Sequence, residues 1–262
     1  MLKKTLIKLH WIISDQFGFD IRRLFRSLLG LPRFARDWRK FRRQYDGPLT
    51  LVPCLHDWSE EGGATKNEYF WQDLLVARWI FEARPLRHVD VGSRVDGFVA
   101  HVASFREIEV FDVRPISTQI ENITFVQADL MNSVGLPAAE GGYCDSLSCL
   151  HALEHFGLGR YGDVIDAAGY QRGLANMSSL IRSGGVFYLS VPVGRERVEF
   201  NANRVFDPRN IVSLGEVNGL VLRGLTMVGR DGSAKEMSMS KDVLKELAEA
   251  DYGLGIFVFA KS

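Results

Sequence analysis

The feature that most constrains this chain is an alternation of short apolar runs with helix-patterned segments from residue 85 to the end. RHVDVGS, IEVFDV, ITFVQADL and CDSLSCL are each short, rich in β-branched or aromatic residues and bounded by turn formers, as strands are. Between them, Phe98–Phe105 and Tyr161–Ile181 carry helical spacing. The second sets Val164, Ile165, Ala168, Leu174, Met177 and Ile181 on one inward stripe and ends at Gly184–Gly185. VFYLSVPV, LVLRGLTMV and GIFVFAKS continue the strand series around helices at Pro208–Val217 and Lys241–Ala250. Seven strands alternating with helices predict an α/β fold, a mostly parallel seven-stranded sheet with helices on both faces. Right-handed crossovers then put ligand-binding loops at the strands' carboxyl ends.

A helix precedes this series at Lys66–Glu82, capped by Thr65 or Asn67, with Phe70, Leu74, Ala77 and Phe81 as its inner stripe and Pro85 as its stop. Turn formers from Gly47 to Gly63 mark a linker. Residues 1–46 are expected to be a separate amphipathic helical extension of an α/β domain over 47–262. Leu2, Leu6, Leu9 and Ile13 lie at helical spacing, Ile21–Leu29 ends at Gly30, and Arg33–Tyr45 mixes basic and aromatic residues.

The formal net charge of zero conceals an asymmetry: residues 1–46 hold 12 Lys/Arg against 4 Asp, and the remainder holds 20 basic against 28 acidic residues. A basic arm with Trp and Phe suits an anionic membrane interface. Nucleic acid finds no support, because no recognisable binding module accompanies the charge. An ordinary helix pair packing on the acidic body explains the charge equally well. No apolar run reaches the ~20 residues that span a bilayer. Lys8 and His10 interrupt the apolar part of the N-terminus, so it reads as retained rather than as a cleaved leader. Cys54, Cys144 and Cys149 have no metal-ligand spacing, and an odd count suits reduced thiols in a cytoplasmic protein, peripheral to a membrane if the arm docks there.

Several constellations carry chemistry. VDVGSRVDG, Val89–Gly97, is a strand-to-helix turn in which Gly92 lets the backbone approach a ligand and Asp90 ends the strand. Asp112 ends the next strand, 20 positions beyond Gly92, where an acidic residue can bond ribose hydroxyls. QADL carries Ala128 and Asp129, and CDSLSCLHALEHFGLGRYGD runs from a strand into glycines and charge through Leu150, His151, Glu154, His155 and Arg160. VPVGRERVEFNANRVFDP places Arg195, Arg197, Asn201, Asn203 and Arg204 in a polar loop that could grip a phosphate, carboxylate or sugar nucleotide.

The order DVGS, FDV, ADL, DSLSCLHALEH, helix, GG and VPVG resembles that of class I, Rossmann-like S-adenosylmethionine (SAM)-dependent methyltransferases over residues 85–262. The finer wording is similar to an uncharacterised, methyltransferase-like family of unknown function. The resemblance implies SAM as cofactor, held by the loop residues Asp90, Gly92, Ser93, Arg94 and Gly97, with Asp90 and Gly92 beside its methionine part. It implies Asp112 at the ribose, Asp129 with Ala128 at the adenine, and Leu150 and His151 in the transfer pocket. His151, Glu154 and His155 are then the candidates for a general base, and Arg160, Arg195, Arg197, Asn201, Asn203 and Arg204 for holding a small-molecule or glycan acceptor.

One position departs from the D-x-G-x-G-x-G pattern: Arg94 stands at the second glycine, and the third comes one residue late, at Gly97. The loop is then reshaped, or Arg94 meets an anionic group, or the chain is a degenerate member that binds an anionic glycan or protein without catalysis. HALEH also reads as H-x-x-E-H, the inverted zinc-peptidase motif. That reading needs a helix at the motif and a third ligand such as Glu216 or Glu246, whereas the motif follows a strand and Gly157 and Gly159 cut any helix short; no metal is expected.

Overall fold

The computed structural model describes residues 12–63, 65–132, 141–229 and 231–262. The chain divides into two compact units, Met1–Ala64 and Thr65–Ser262. The boundary therefore falls after the linker, not at residue 46. In the first unit the expected helix over Leu2, Leu6 and Leu9 lies outside the described residues. The two stretches expected on either side of Gly30 form one helix, α1 (Ile21–Arg42), capped by the Asp20 carboxylate and continuous through Pro32. Gly30 is there for space rather than as a stop. A β-carbon on it would lie 1.7 Å from the Leu55 carbonyl oxygen, because the linker crosses the helix at that point. His56 ties the two together, accepting from Arg23 Nε at 3.0 Å and lying 3.2 Å from Ser27 Oγ.

The second unit begins with α2 (Glu68–Ala83), whose N-cap Asn67 accepts from the Phe70 amide. β1 (His88–Val91), β2 (Ile108–Asp112), β3 (Ile123–Gln127), β4 (Cys144–Leu150) and β5 (Ile181–Val193) follow. A small hairpin, β6 (Arg197–Glu199) and β7 (Asn203–Val205), projects after β5. The helix α3 (Gly169–Leu180) precedes β5, α4 (Pro208–Val217) leads into the strands β8 (Leu220–Val228) and β9 (Ala234–Met237), and α5 (Lys241–Glu249) leads into β10 (Gly253–Lys261). The sheet order is β3-β2-β1-β4-β5-β10-β8-β9. β3, β2, β1, β4 and β5 pair in parallel, while β10 is antiparallel to both β5 and β8, and β9 to β8. The sheet has eight strands, one more than expected. The extra one, β9, is short and polar (AKEM) and gives no hydrophobic alternation to read.

The core lies on both faces of the sheet. Val89, Phe111, Leu147, Leu174, Met177 and Phe257 fill one side, and Val76, Ile80, Phe98, Val102, Val110 and Ile256 the other. Strand order reverses between β1 and β4, so a crevice opens at their carboxyl ends.

Two inward stripes differ from expectation. α2 buries Gln72, Asp73, Val76, Ala77 and Ile80, and leaves Phe70, Leu74 and Phe81 exposed. The two polar residues on its inner face obscured the period. α3 starts at Gly169 instead of Tyr161, leaving Val164 and Ile165 exposed, and β5 begins already at Ile181, before Gly184–Gly185. Asp163 holds the preceding loop by accepting from the amides of Gly157, Gly159 and Tyr161, which offers that segment an alternative to helix.

Candidate functional site

The loops after β1, β2, β3 and β4 converge on one cavity. Its wall includes Gly92, Ser93 and Arg94, then Asp112 and Arg114, then Ala128 and Asp129, then Leu150, His151, His155, Arg160 and Tyr161. Of the residues expected there, Asp90, Gly97 and the fully buried Glu154 do not reach the wall. Arg195, Arg197, Asn201, Asn203 and Arg204 do not line it either.

Asp90 is fully buried beneath the loop. Its carboxylate accepts from the Ser93 amide (3.0 Å), Ser93 Oγ (2.7 Å) and Ser148 Oγ (2.6 Å), and so fixes the turn from below. Burial raises its pKa to about 7 against the lowering effect of those bonds. Beyond Ser148, His88 continues the chain, its ring nitrogens 2.8 and 3.2 Å from Ser146 Oγ and Ser148 Oγ. Burial holds that imidazole neutral, with a pKa lowered to about 3.

Gly92 has φ +74, and a β-carbon there would meet the Ala152 β-carbon at 2.8 Å, so both backbone and space require glycine. Arg94 stands on ordinary extended backbone (φ −69, ψ 129), which any residue adopts. Its guanidinium turns to solvent and pairs with Asp96 at 2.7 Å. The late glycine, Gly97, has a different cause: a β-carbon on it would press against Asp73 Oδ2 at 2.9 Å. The loop is therefore reshaped around Asp73, and Arg94 does not fill the cavity.

Asp112 is not bare. Arg114 grips it with two side-chain bonds (3.0 and 2.6 Å) and its own amide, and lies over the Tyr161 ring at 4.4 Å. Asp129 accepts from the Met131 amide and Asn132 Nδ2.

His151 follows β4 in the left-handed region (φ 53), a strained position for a side-chain-bearing residue. Its Nδ1 lies 2.6 Å from Glu154 Oε1, its Nε2 3.5 Å from Glu68 Oε1, and the Tyr69 ring packs on it, tilted, with centroids 4.5 Å apart. Burial alone would lower its pKa. The charges and bonds of Glu154 and Glu68 outweigh it and raise the value to about 9. Burial works against Glu154's charge too, yet His151 keeps that carboxyl below its ordinary value. His155 is different: burial pushes its pKa down. Its Nδ1 sits 2.7 Å from the Ala202 carbonyl, which only accepts, so Nδ1 carries the proton and Nε2 the lone pair.

The motif around these residues is a single 3-10 turn, Leu153–His155, not an α-helix, and His151 precedes it off the helical backbone. The zinc-peptidase geometry of two histidines one helical turn apart is thereby lost, and neither Glu216 nor Glu246 lines the cavity.

The polar loop after β5 is largely spent on structure. Buried Arg204 donates to the carbonyls of Glu154, Phe156 and Ala167, so it shapes the site from behind. Arg197 bonds Glu199 and the carbonyls of Arg195 and Asp251, and Arg195 reaches the Glu249 carbonyl. Asn203 bonds the neighbouring Arg204 carbonyl, and Asn201 follows Phe200 in the hairpin turn. Of the residues expected to hold an acceptor, only Arg160, from the loop after β4, reaches the wall, while also donating to the Ala202 carbonyl at 2.9 Å.

Sequence reasoning missed Tyr69, Gln72, Asp73, Arg114 and Tyr161 on the wall. Gln72 and Asp73 carried a signal: two polar residues on the face of α2 that the sheet covers. Gln72 donates to Asp73 at 2.9 Å and accepts from Ser190 Oγ; burial raises the Asp73 pKa.

No curated protein matches the sequence. The family profile for a Caenorhabditis protein of unknown function, DUF268, matches residues 119–242. Solved structures match much more of the chain. The 1,6-didemethyltoxoflavin-N1-methyltransferase of Burkholderia thailandensis, solved with S-adenosylhomocysteine, is 16% identical, with a TM-score of 0.51 over 83% of this chain and 93% of that one. A SAM-dependent methyltransferase from Clostridium acetobutylicum is 12% identical, with a TM-score of 0.50 over 86% and 99%. The [4+2]-cyclase SpnF is 15% identical, with a TM-score of 0.50 over 72% and 81%. At these identities the likeness is one of architecture, and the chain has the Rossmann-like fold of the class I SAM-dependent methyltransferases.

Proposed function

We propose that the cavity binds SAM and that the protein is a methyltransferase acting on a small-molecule or glycan acceptor. The observation that carries this reading is the convergence of Gly92, Asp112, Asp129 and Leu150, from four successive strands, on one cavity at the point where strand order reverses. The residues fit the cofactor. Gly92 leaves a cradle that a β-carbon would fill, and Arg94 leaves the cavity open. Gly92 and Ser93, held by Asp90, would face the methionine part. Asp112 with Arg114 would meet the ribose, and Ala128 and Asp129 the adenine. When bound, SAM supplies a methyl group activated by its sulfonium charge.

The chain's own contribution is to position, to exclude water and to move a proton. His151 is a charged partner of Glu154 at neutral pH and is therefore a poor base. His155, neutral and with its Nε2 lone pair available, is the group that would accept the proton of an acceptor hydroxyl. Tyr161, edge-on to His155 at 5.4 Å, and Arg160 would border the acceptor. Histidine titration by NMR is expected to find His155 below its ordinary 6.5 and His151 near 9. A reversed order would return the role of base to His151.

Fold alone does not fix chemistry, as a neighbour named for cycloaddition illustrates. A binding protein without catalysis is the second reading. Calorimetric titration of the full chain with SAM and S-adenosylhomocysteine tests the first: saturable binding of both is expected, and no heat up to millimolar ligand would remove it. Arg94→Gly is expected to change that affinity by less than about threefold, the scale of an exposed substitution. A large gain would mean that the arginine obstructs the site after all.

A further inference from the structure

The helix α1 presents two faces. One carries Gly30, Phe34 and Trp38 toward the linker at Leu51, Leu55 and Trp58, within its own unit. The other carries Ile21, Leu24, Phe25 and Leu28, which stand 53, 47, 62 and 54% exposed. Their spacing makes a single stripe along the helix, with Leu31 at its border. Nothing among the described residues of this unit covers it.

Charge accompanies the stripe. Residues 21–43 hold nine basic residues and one acidic residue, Asp37. By helical spacing, Arg22, Arg26, Arg33 and Arg36 follow one flank of the stripe, and Arg39 continues its line beyond Leu28. Asp37 engages Arg33 and Arg36, and Glu60 engages Arg26, but no carboxylate among the described residues pairs with Arg22, Arg39 or Arg43. No helix among the described residues is long and apolar enough to cross a membrane. An apolar stripe beside unpaired arginines is the pattern of a helix lying in the interface plane. Leu and Phe enter the acyl boundary there, and the long basic side chains reach lipid phosphates.

We propose that α1 docks on anionic lipid surfaces, through Ile21, Leu24, Phe25 and Leu28 for burial and through the flanking arginines for charge. The two contributions are separable. Near an anionic surface each basic residue strengthens binding about fivefold, and salt weakens this part. Burial of the stripe is indifferent to salt. A nucleic acid would use the arginines and leave the leucines idle, whereas lipid uses both.

The test is flotation of the full chain with phosphatidylcholine vesicles, with and without phosphatidylserine. The wild type is expected to float with phosphatidylserine vesicles and much less with phosphatidylcholine alone. Phe25→Ser/Leu28→Ser retains every charge and is expected to weaken binding on the order of a hundredfold. Arg22→Gln/Arg39→Gln/Arg43→Gln is expected to weaken it about a hundredfold at low salt, and the corresponding lysine variant to retain it. Circular dichroism and thermal unfolding of each variant show that the chain still folds. Three outcomes would overturn the proposal: no flotation of the wild type on phosphatidylserine vesicles, undiminished flotation of the Phe25/Leu28 variant, or a stripe whose replacement changes only the oligomeric state.

Discussion

Glu154→Gln is expected to destabilise the α/β unit by about 3–5 kcal/mol between about pH 4.5 and 6.5, because it strips the partner from a buried imidazolium. Glu154 is fully buried, and its Oε1 is 2.6 Å from His151 Nδ1. In the wild type the His151 pKa rises from 6.5 to about 9. Its stabilising effect is thus fully present below pH 6.5 and fades as pH climbs through 9. Glu154, held below its ordinary value, contributes above 4.5 and loses its contribution as acid protonates it. Glutamine preserves shape but cannot hold the proton on His151. Burial then lowers the pKa of that histidine with only Glu68 left to oppose it, so the variant gains less stability from the imidazolium at low pH than the wild type does. Urea unfolding of both proteins across pH measures this. The stability gap should be widest between about pH 4.5 and 6.5, and should narrow both above pH 9 and in acid that protonates Glu154. A constant gap would mean that Glu154 acts through packing alone.

The second large effect is at Gly92. Gly92→Val forces a β-branched side chain into φ +74 and sets its β-carbon against Ala152 at 2.8 Å. Backbone strain and overpacking together are expected to cost about 2–4 kcal/mol. The greater consequence is at the cavity wall, where the backbone must come closest to a ligand. Affinity for SAM and S-adenosylhomocysteine is expected to fall by more than about a hundredfold, equivalent to ~3 kcal/mol. Differential scanning calorimetry and ligand titration of the same preparation separate the two. If the protein folds and binds as the wild type does, the cradle lies elsewhere.

The sheet was legible because its strands are apolar and bounded. CDSLSCL and LVLRGLTMV are strands at the expected residues, since neither competes with another period. β9 was not legible, because a polar edge strand is specified by its neighbour β8 and not by its own pattern. α2 was found at nearly its true length, yet its face was misread. Gln72 and Asp73 are buried for the cavity's sake, and a reading that puts apolar residues inside turns the helix the other way. In the site, residues tied to backbone geometry were readable: Gly92, Asp112, Asp129, Leu150 and His151 all reach the wall. Asp90 was readable as part of the loop but not as its buried support. The arginine-rich segment misled because charge density says nothing about partners, and backbone carbonyls consume Arg195, Arg197 and Arg204. Arg94 stood where a glycine was expected, and only its extended backbone and its pairing with Asp96 reveal that it leaves the cavity clear.

The central claim, a nucleoside-cofactor cradle at the ends of β1 to β4, is tested most directly by a crystal structure of the full chain with S-adenosylhomocysteine. The ribose is predicted at Asp112 and Arg114, the adenine beside Ala128 and Asp129, and the sulfur toward Leu150 and His155. A ligand bound outside this wall, or a cavity that stays empty at saturating S-adenosylhomocysteine, would contradict it.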